Sequence, residues 1–387
     1  MFADRTKWNL QPNRLSEALA RHRAAGKPLV DLTASNPTEC SFDYDERAIL
    51  AALQNPAALK YKPEPQGLVS ARQAVGEYYA EHGVAANADD IFLTTSTSEA
   101  YSYVFRLLCN PGDEILIPAP GYPLFDFLAD IQDIKPVRYP LLYDHGWQID
   151  FHALERAITQ HTRAIVIVHP NNPTGHFTKR AEVEQLNEIC ARRGLALIVD
   201  EVFLDFSVAP GFSPASFSAN RDALTFTLSG ISKICGLPQM KAAWTIVTGA
   251  RDLKSEAKAR LEMIVDTFLS MNAPVQLALP TFLSQGRVFQ KQLMERVRRN
   301  LAELDLQLSL QKVCSRLDIE GGWYAILRVP ATRSDEDLAL TLLNEKDVYV
   351  HPGHFYDFSS EGYLVLSLLT PEEEFSRGLR SALMVFD

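Results

Sequence analysis

Six short apolar runs rich in β-branched residues lie between about residues 46 and 250: IFLTT from Ile91, EILIPA from Glu114, AIVIV from Ala164, LALIVD from Leu195, TFTLS from Thr225 and WTIVTG from Trp244. Longer amphipathic stretches separate them. A strand that is apolar on both faces must be covered on both faces, so these runs predict a mainly parallel sheet between two layers of helices. The stretch after IFLTT shows how one helix is specified. Ala100, Tyr103, Val104, Leu107 and Leu108 recur at helical spacing, Ser96 and Glu99 form a capping-box pattern before them, and Pro111-Gly112 follows as a stop.

From Asp252 a long helical pattern runs through Arg260, Met263, Ile264, Thr267 and Phe268, and VFQKQLMERVRRNLAELDLQL continues as a second helix. Beyond it, GGWYAILRV, DVYVHPG and YLVLSLL read as strands of a smaller α+β domain closed by a helix over Glu372 to Phe386. We therefore expect a segment 1–45 without a sheet role, packing on the small domain or reaching a partner, a large domain over 46–280 and a small one over 281–387.

Composition narrows the function. The 387 residues are 47% hydrophobic, enough for a real core, and 38 basic against 48 acidic residues give a net charge of -10. That balance offers no electrostatic footprint for nucleic acid or an anionic membrane. The N-terminal MFADRTKWNLQPNR is charged and reads as neither a signal nor an anchor, and five cysteines without a C-x-x-C pair read as reduced thiols. A cytoplasmic protein of small-molecule chemistry is expected, with no metal site.

In a sheet of this type ligands bind beyond the carboxyl ends of the strands. AIVIV is followed by HPNNPTG, LALIVD ends in Asp200-Glu201, TFTLS leads into GISK with Lys233, IFLTT into STSE, and EILIPA into PGYP with Tyr122. Singly, each has a bland reading as turn, cap or solvated lysine. An amide, a carboxylate, a lysine, an aromatic ring and a hydroxyl-rich helix start at successive strand ends are hard to explain by packing alone.

Together with SNPT at Ser35, YKPEPQG at Tyr61 and SGISKICGLP, these blocks resemble the fold type I pyridoxal 5'-phosphate enzymes, and within them the aspartate aminotransferase-like class I/II aminotransferases. The resemblance spans nearly the whole chain. It implies that Lys233 holds the cofactor aldehyde as an imine and moves protons at the substrate α-carbon, while Asp200 keeps the pyridine nitrogen protonated. It also implies that Asn172 donates to the ring hydroxyl O3' and that Tyr122 stacks on the ring. Thr97 and Ser98 would hold the phosphate at a helix N-terminus, assisted by Ser232 and Lys241, and Tyr61 would reach the phosphate of a neighbouring subunit in a homodimer.

Three positions depart from the family pattern. Lys241 stands where an arginine is usual, keeping the charge and losing the bidentate fork. Phe203 replaces a tyrosine that donates to O3'. In YLVLS, Val365 occupies the place of the arginine that grips the substrate α-carboxylate, so either another cation replaces it or the substrate is bound differently. Asn36, His351 and His354 are the substrate-contact candidates, and Arg328 is a further cation to consider. Phe125, Trp323, Phe355 and Tyr356 are possible pocket walls. His169 reads as a structural strand-end residue.

No phosphate loop, G-x-G-x-x-G, G-x-S-x-G or H-E-x-x-H is present. The expected activity is transfer of an amino group between an amino acid and a 2-oxo acid by a ping-pong cycle. Val365 leaves a decarboxylase, lyase or racemase with the same cofactor as the alternative, and a non-catalytic cofactor-binding protein as a third reading.

Overall fold

The computed structural model describes residues 1–212, 214–269 and 271–386. The larger sheet has eight strands: β1 (Ile91–Thr94), β2 (Glu114–Ala119), β3 (Lys135–Tyr143), β4 (Trp147–Ile149), β5 (Thr162–Val168), β6 (Ala196–Asp200), β7 (Thr225–Gly230) and β8 (Ala243–Thr248). Their spatial order is β1-β8-β7-β6-β5-β2-β3-β4. The six expected runs are all strands, and every residue of β6, β7 and β8 is buried.

Two features differ from the sequence reading. β8 runs antiparallel to both its neighbours, because the link from Ile231 to Ala242 holds only one helical turn and a 3-10 turn, too little for a crossover. The hairpin β3–β4 escaped notice because its first strand, KPVRYPLLY, carries two prolines and half-exposed positions, both prolines falling before Leu141 where β4 does not yet pair with it.

Register aligns the chemistry. Val168 pairs with Asp200, and Asp200 with Leu228, so β5 and β6 end level, β7 runs two residues further to Gly230, and all three release their next residues at one edge. Helices cover both faces. Ala100, Val104 and Phe105 of the Thr97–Leu108 helix pack with Ile115, Val166, Ile198 and Phe226 on one side, while Leu186, Ile189 and Cys190 pack with Ile165, Leu197 and Val199 on the other.

The Arg251–Phe268 helix is as expected, but the following helix is a single 37-residue element, Ala273–Ser309. The 280/281 division falls inside it at Pro280. The smaller sheet comprises β9 (Ser315–Arg316), β10 (Tyr324–Arg328), β11 (His351–Pro352) and β12 (Tyr363–Ser367), ordered β9-β10-β12-β11 and antiparallel throughout. The closing helix is Glu372–Leu383.

The N-terminal segment does have a sheet role. Val30–Asp31 pairs in parallel with Val348–Tyr349, and Leu32 accepts the Ser367 N–H, while Leu15 and Ala18 of the Arg14–Ala24 helix join the small-domain core. Two paired residues are too short a run for alternation to be visible in sequence.

Candidate active site

The carboxyl ends of β5, β6 and β7 open into a cavity of about 200 Å³ lined by Ser35, Thr97, Tyr122, Val168, Asn172, Asp200, Val202, Phe203, Gly230, Ser232, Lys233, Ala243 and Tyr324. Six of the residues singled out for the cofactor, Thr97, Tyr122, Asn172, Asp200, Ser232 and Lys233, meet here from five separate stretches of chain. A larger open groove of about 790 Å³, between the Ala273–Ser309 and Glu372–Leu383 helices, contains none of these groups.

Lys233 sits in the single helical turn Ile231–Ile234 that starts directly after β7. Its Nζ lies 4.9 Å from the Trp323 ring centroid and 5.8 Å from that of Phe203, in an aromatic wall where a cation is poorly hydrated. Burial pushes its pKa down to about 8, and the negative charge of Asp200 works against that fall. Lys233 therefore holds a substantial neutral, nucleophilic fraction near pH 8.

Asp200 is buried at the end of β6, and desolvation pushes its carboxyl up to about 6. Three features oppose the rise: the Val202 N–H donates to Oδ1 at 3.0 Å, the Tyr101 hydroxyl donates to Oδ2 at 3.1 Å, and Lys233 supplies positive charge. Tyr101 was not anticipated from sequence. The available signal was its place one helical turn beyond Thr97, since positions i and i+4 share a face.

Asn171 and Asn172 divide the turn between them. The Asn171 amide donates to the Pro120 carbonyl and the Thr174 hydroxyl, holding the loop; the Oδ1 atoms of both residues are buried without a protein partner, and of the two only Asn172 lines the cavity. A buried amide with unused hydrogen-bonding capacity on a cavity wall is suited to a bound polar group. Tyr122 offers its ring to the cavity, braced edge-on by Phe125 at 5.9 Å. Phe125 itself is core, with 1% of its surface exposed, so it is not a pocket wall.

At the start of the Thr97–Leu108 helix the Ser96 hydroxyl accepts the Glu99 N–H at 3.1 Å. The reciprocal half of the expected capping box is shifted by one residue, with the Glu99 carboxylate accepting the Thr95 N–H at 2.6 Å. The first amides of a helix have no intrahelical acceptor, and Thr97 brings this end to the cavity. Ser98 is half-buried beside it.

The other candidates lie elsewhere. Lys241 is exposed, with a left-handed backbone at φ 53°, next to the Ala242-Ala243 segment that reaches the cavity. Tyr61 is 83% exposed and outside the cavity. Asn36 is exposed and its side chain is committed to the Thr38 amide and hydroxyl, while the preceding Ser35 lines the cavity. His354 and Arg328 are exposed. His351 is half-buried, its Nδ1 3.1 Å from the Tyr356 hydroxyl, and burial lowers its pKa. Val365 is buried against Leu317, Ile326 and Tyr356. His169 is buried, its Nδ1 accepts the Thr178 N–H at 3.1 Å, and desolvation holds it neutral with a pKa near 3.

The donor set fits pyridoxal 5'-phosphate. An amine for its aldehyde, a carboxylate for its ring nitrogen, an amide for its ring oxygen, an aromatic face and a helix N-terminus for its phosphate all face one space.

Comparison with known proteins agrees with this fit. Residues 27–380 match the family model described as aminotransferase class I and II. A glutamate-pyruvate aminotransferase AlaA of Haemophilus influenzae is 27% identical over 362 residues, covering 91% of this chain and 89% of the relative. An alanine aminotransferase of Mycobacterium tuberculosis is 29% identical over 378 residues, covering 94% and 86%. Among solved structures, an alanine aminotransferase from Pyrococcus furiosus superposes with a TM-score of 0.89 at 22% identity over 100% of this chain and 99% of its own. At that identity the likeness speaks for the fold.

Proposed function

The chain belongs to the class I and II aminotransferases, enzymes that work with pyridoxal 5'-phosphate, and from that premise we propose that it moves an amino group between an amino acid and a 2-oxo acid in two half-reactions sharing one site. The observation that carries this reading is the pairing of a buried lysine and a buried carboxylate in one cavity, Lys233 with a lowered pKa and Asp200 with a raised one. The lyase, decarboxylase and racemase alternative finds no support in the relatives described above, each of which is an aminotransferase.

When bound, the cofactor supplies an aldehyde that captures amines and a ring that takes up the electrons of a broken α-carbon bond. Lys233 anchors it and, once released, carries the proton to and from the substrate α-carbon. A pKa near 8 suits that task, because a base works best when its pKa lies close to the working pH. Asp200 holds the proton on the ring nitrogen, Asn172 and Tyr122 set the orientation of the ring, and Thr97, Ser98, Ser232 and Lys241 receive the phosphate.

Residues 46–280 carry the cofactor on this reading, and 281–387 form the wall over the substrate. The enzyme acts as a homodimer, in which Tyr61, exposed on a free-standing segment, reaches the phosphate of the second copy. Of the substrate candidates we retain His351, since its partner Tyr356 stands close to Tyr122 and Tyr324 on the cavity wall. Val365 supplies no charge, so the α-carboxylate depends on neutral donors such as these.

A half-reaction screen tests the proposal. Cofactor-loaded protein mixed with single amino acids is expected to convert to the pyridoxamine form and release a 2-oxo acid, and Lys233→Ala is expected to keep cofactor and lose turnover. Carbon dioxide or elimination products, or full activity of Lys233→Ala, would overturn it.

A further inference from the structure

We propose that Tyr101 is a positioning residue for Asp200: its buried hydroxyl keeps the carboxylate ionised and directed at the cavity, and thereby keeps the cofactor's ring nitrogen protonated. The inference rests on the reading that Asp200 faces that nitrogen.

The local geometry makes the hydroxyl purposeful. Tyr101 is 1% exposed and belongs to an apolar cluster, packed against Phe105 at 5.7 Å and edge-on to Phe125 at 5.5 Å between centroids. Phenylalanine would satisfy all of that packing. The hydroxyl has one use among the described side-chain contacts, donation to Asp200 Oδ2 at 3.1 Å. Without a partner, a phenol in such surroundings would carry a desolvation cost, so the contact matters to both groups.

The direction of the bond follows from the same burial. Desolvation and the adjacent carboxylate hold the Tyr101 phenol far above its ordinary pKa, so it remains a donor at every working pH. A donor fixed in this way stabilises the ionised acceptor more than the protonated one. Its bond opposes the desolvation that raises Asp200, as do the Val202 N–H and the charge of Lys233. Among the described residues Tyr122, Tyr79 and Glu201 also sense the Asp200 charge. With Oδ1 held by Val202 and Oδ2 by Tyr101, the carboxylate cannot turn away from the cavity without breaking a bond.

The helix that carries Tyr101 also carries Thr97, one turn earlier, at the phosphate end of the cavity. One rigid element thus spans the two ends of the cofactor site, and a shift of the helix would disturb both.

The test is Tyr101→Phe, with Phe105→Leu as a packing control and Asp200→Asn as a control of the underlying reading. Cofactor-free protein is titrated with pyridoxal 5'-phosphate by fluorescence, and the loaded protein by absorbance and kcat/KM across pH. For Tyr101→Phe we expect cofactor affinity to fall about tenfold and the acid limb of kcat/KM to rise by about one pH unit, the scale of one hydrogen bond to a charged group. Phe105→Leu is expected to lower Tm while leaving both readouts in place. Unchanged affinity and pH profile in Tyr101→Phe, alongside a large loss in Asp200→Asn, would overturn the proposal alone. Parallel losses in the Tyr101 and Phe105 variants that track Tm would reduce Tyr101 to packing and overturn it too. An Asp200→Asn variant with normal affinity and spectrum would instead sink the reading beneath it.

Discussion

Asp200 and Glu201 are neighbours in the chain, both buried and both pushed up in pKa by that burial, yet only Asp200 faces the cavity. Strand alternation sends consecutive side chains to opposite sides. Glu201 instead accepts the Ser216 hydroxyl at 2.7 Å and the Phe217 N–H at 2.6 Å, tying down the segment before β7. One carboxylate is placed at the cavity and the other ties down the fold.

That division predicts a pH effect of known sign. Glu201 is raised to about 8, so the folded state binds a proton that the unfolded state has released above about 4.5. Its contribution to stability is complete below the unfolded value and is lost as pH rises through 8. Glu201→Gln should be close to neutral below about pH 4.5, gain on the parent as pH rises from there, and melt higher than the parent by the largest margin above pH 8, as measured by thermal unfolding across pH. A variant that melts lower at pH 9 would refute this assignment.

His82 should contribute in the same direction through a different contact. Its Nε2 lies 2.9 Å from Asp205 Oδ1 and its Nδ1 3.1 Å from the Tyr78 carbonyl, so both nitrogens face acceptors and the protonated ring satisfies both. Tyr78 donates to the other Asp205 oxygen at 2.8 Å. The carboxylate raises the histidine above its ordinary value despite burial. The stabilisation is full below about 6.5, the ordinary histidine pKa, and fades as pH rises through the folded value. His82→Asn should lower Tm more at pH 5.5 than at pH 8.5, and equal losses at both would contradict the charged assignment.

Phe203 lines the cavity beside Lys233 without a hydroxyl to offer. On the proposed reading, a donor to the cofactor's ring oxygen would stabilise the deprotonated form of its link to Lys233. Phe203→Tyr should therefore lower the pH midpoint of the cofactor's absorbance titration by about one unit, the worth of one hydrogen bond. No shift between the two proteins would remove Phe203 from the tuning of that group.

Gly230 closes β7 immediately before the Lys233 turn. A Cβ there would stand 2.8 Å from the Ala243 Cβ and 2.9 Å from the Ala242 carbonyl oxygen. Gly230→Ala must part β7 from β8 where both line the cavity, and should lower cofactor affinity at least tenfold as well as Tm, since overpacking typically costs about 1–3 kcal/mol. Wild-type affinity by fluorescence titration would show that the strands yield without moving Lys233.

Much of this was legible in the chain itself. The apolar runs announced a covered sheet because burial on both faces leaves no polar positions, and Asn172, Asp200 and Lys233 stood out because a parallel sheet delivers its strand ends to one edge. The direction of β8 and the pairing of Val30 with Val348 were not legible. The first follows from the short link Ile231–Ala242, which leaves no room for a crossover, and the second involves two residues, too few to carry a period.

Sequence by itself determined the sheet, its chemical edge and the lysine, carboxylate and amide placed there, since each is written within a few residues of a strand. Tertiary structure decided their surroundings: Tyr101, 99 residues from Asp200, and Trp323, 90 residues from Lys233, arrive through helix and domain packing. Proton affinities follow from burial and from contacts across such distances. A local pattern names a titratable group, and only the packed environment sets the pH at which it works.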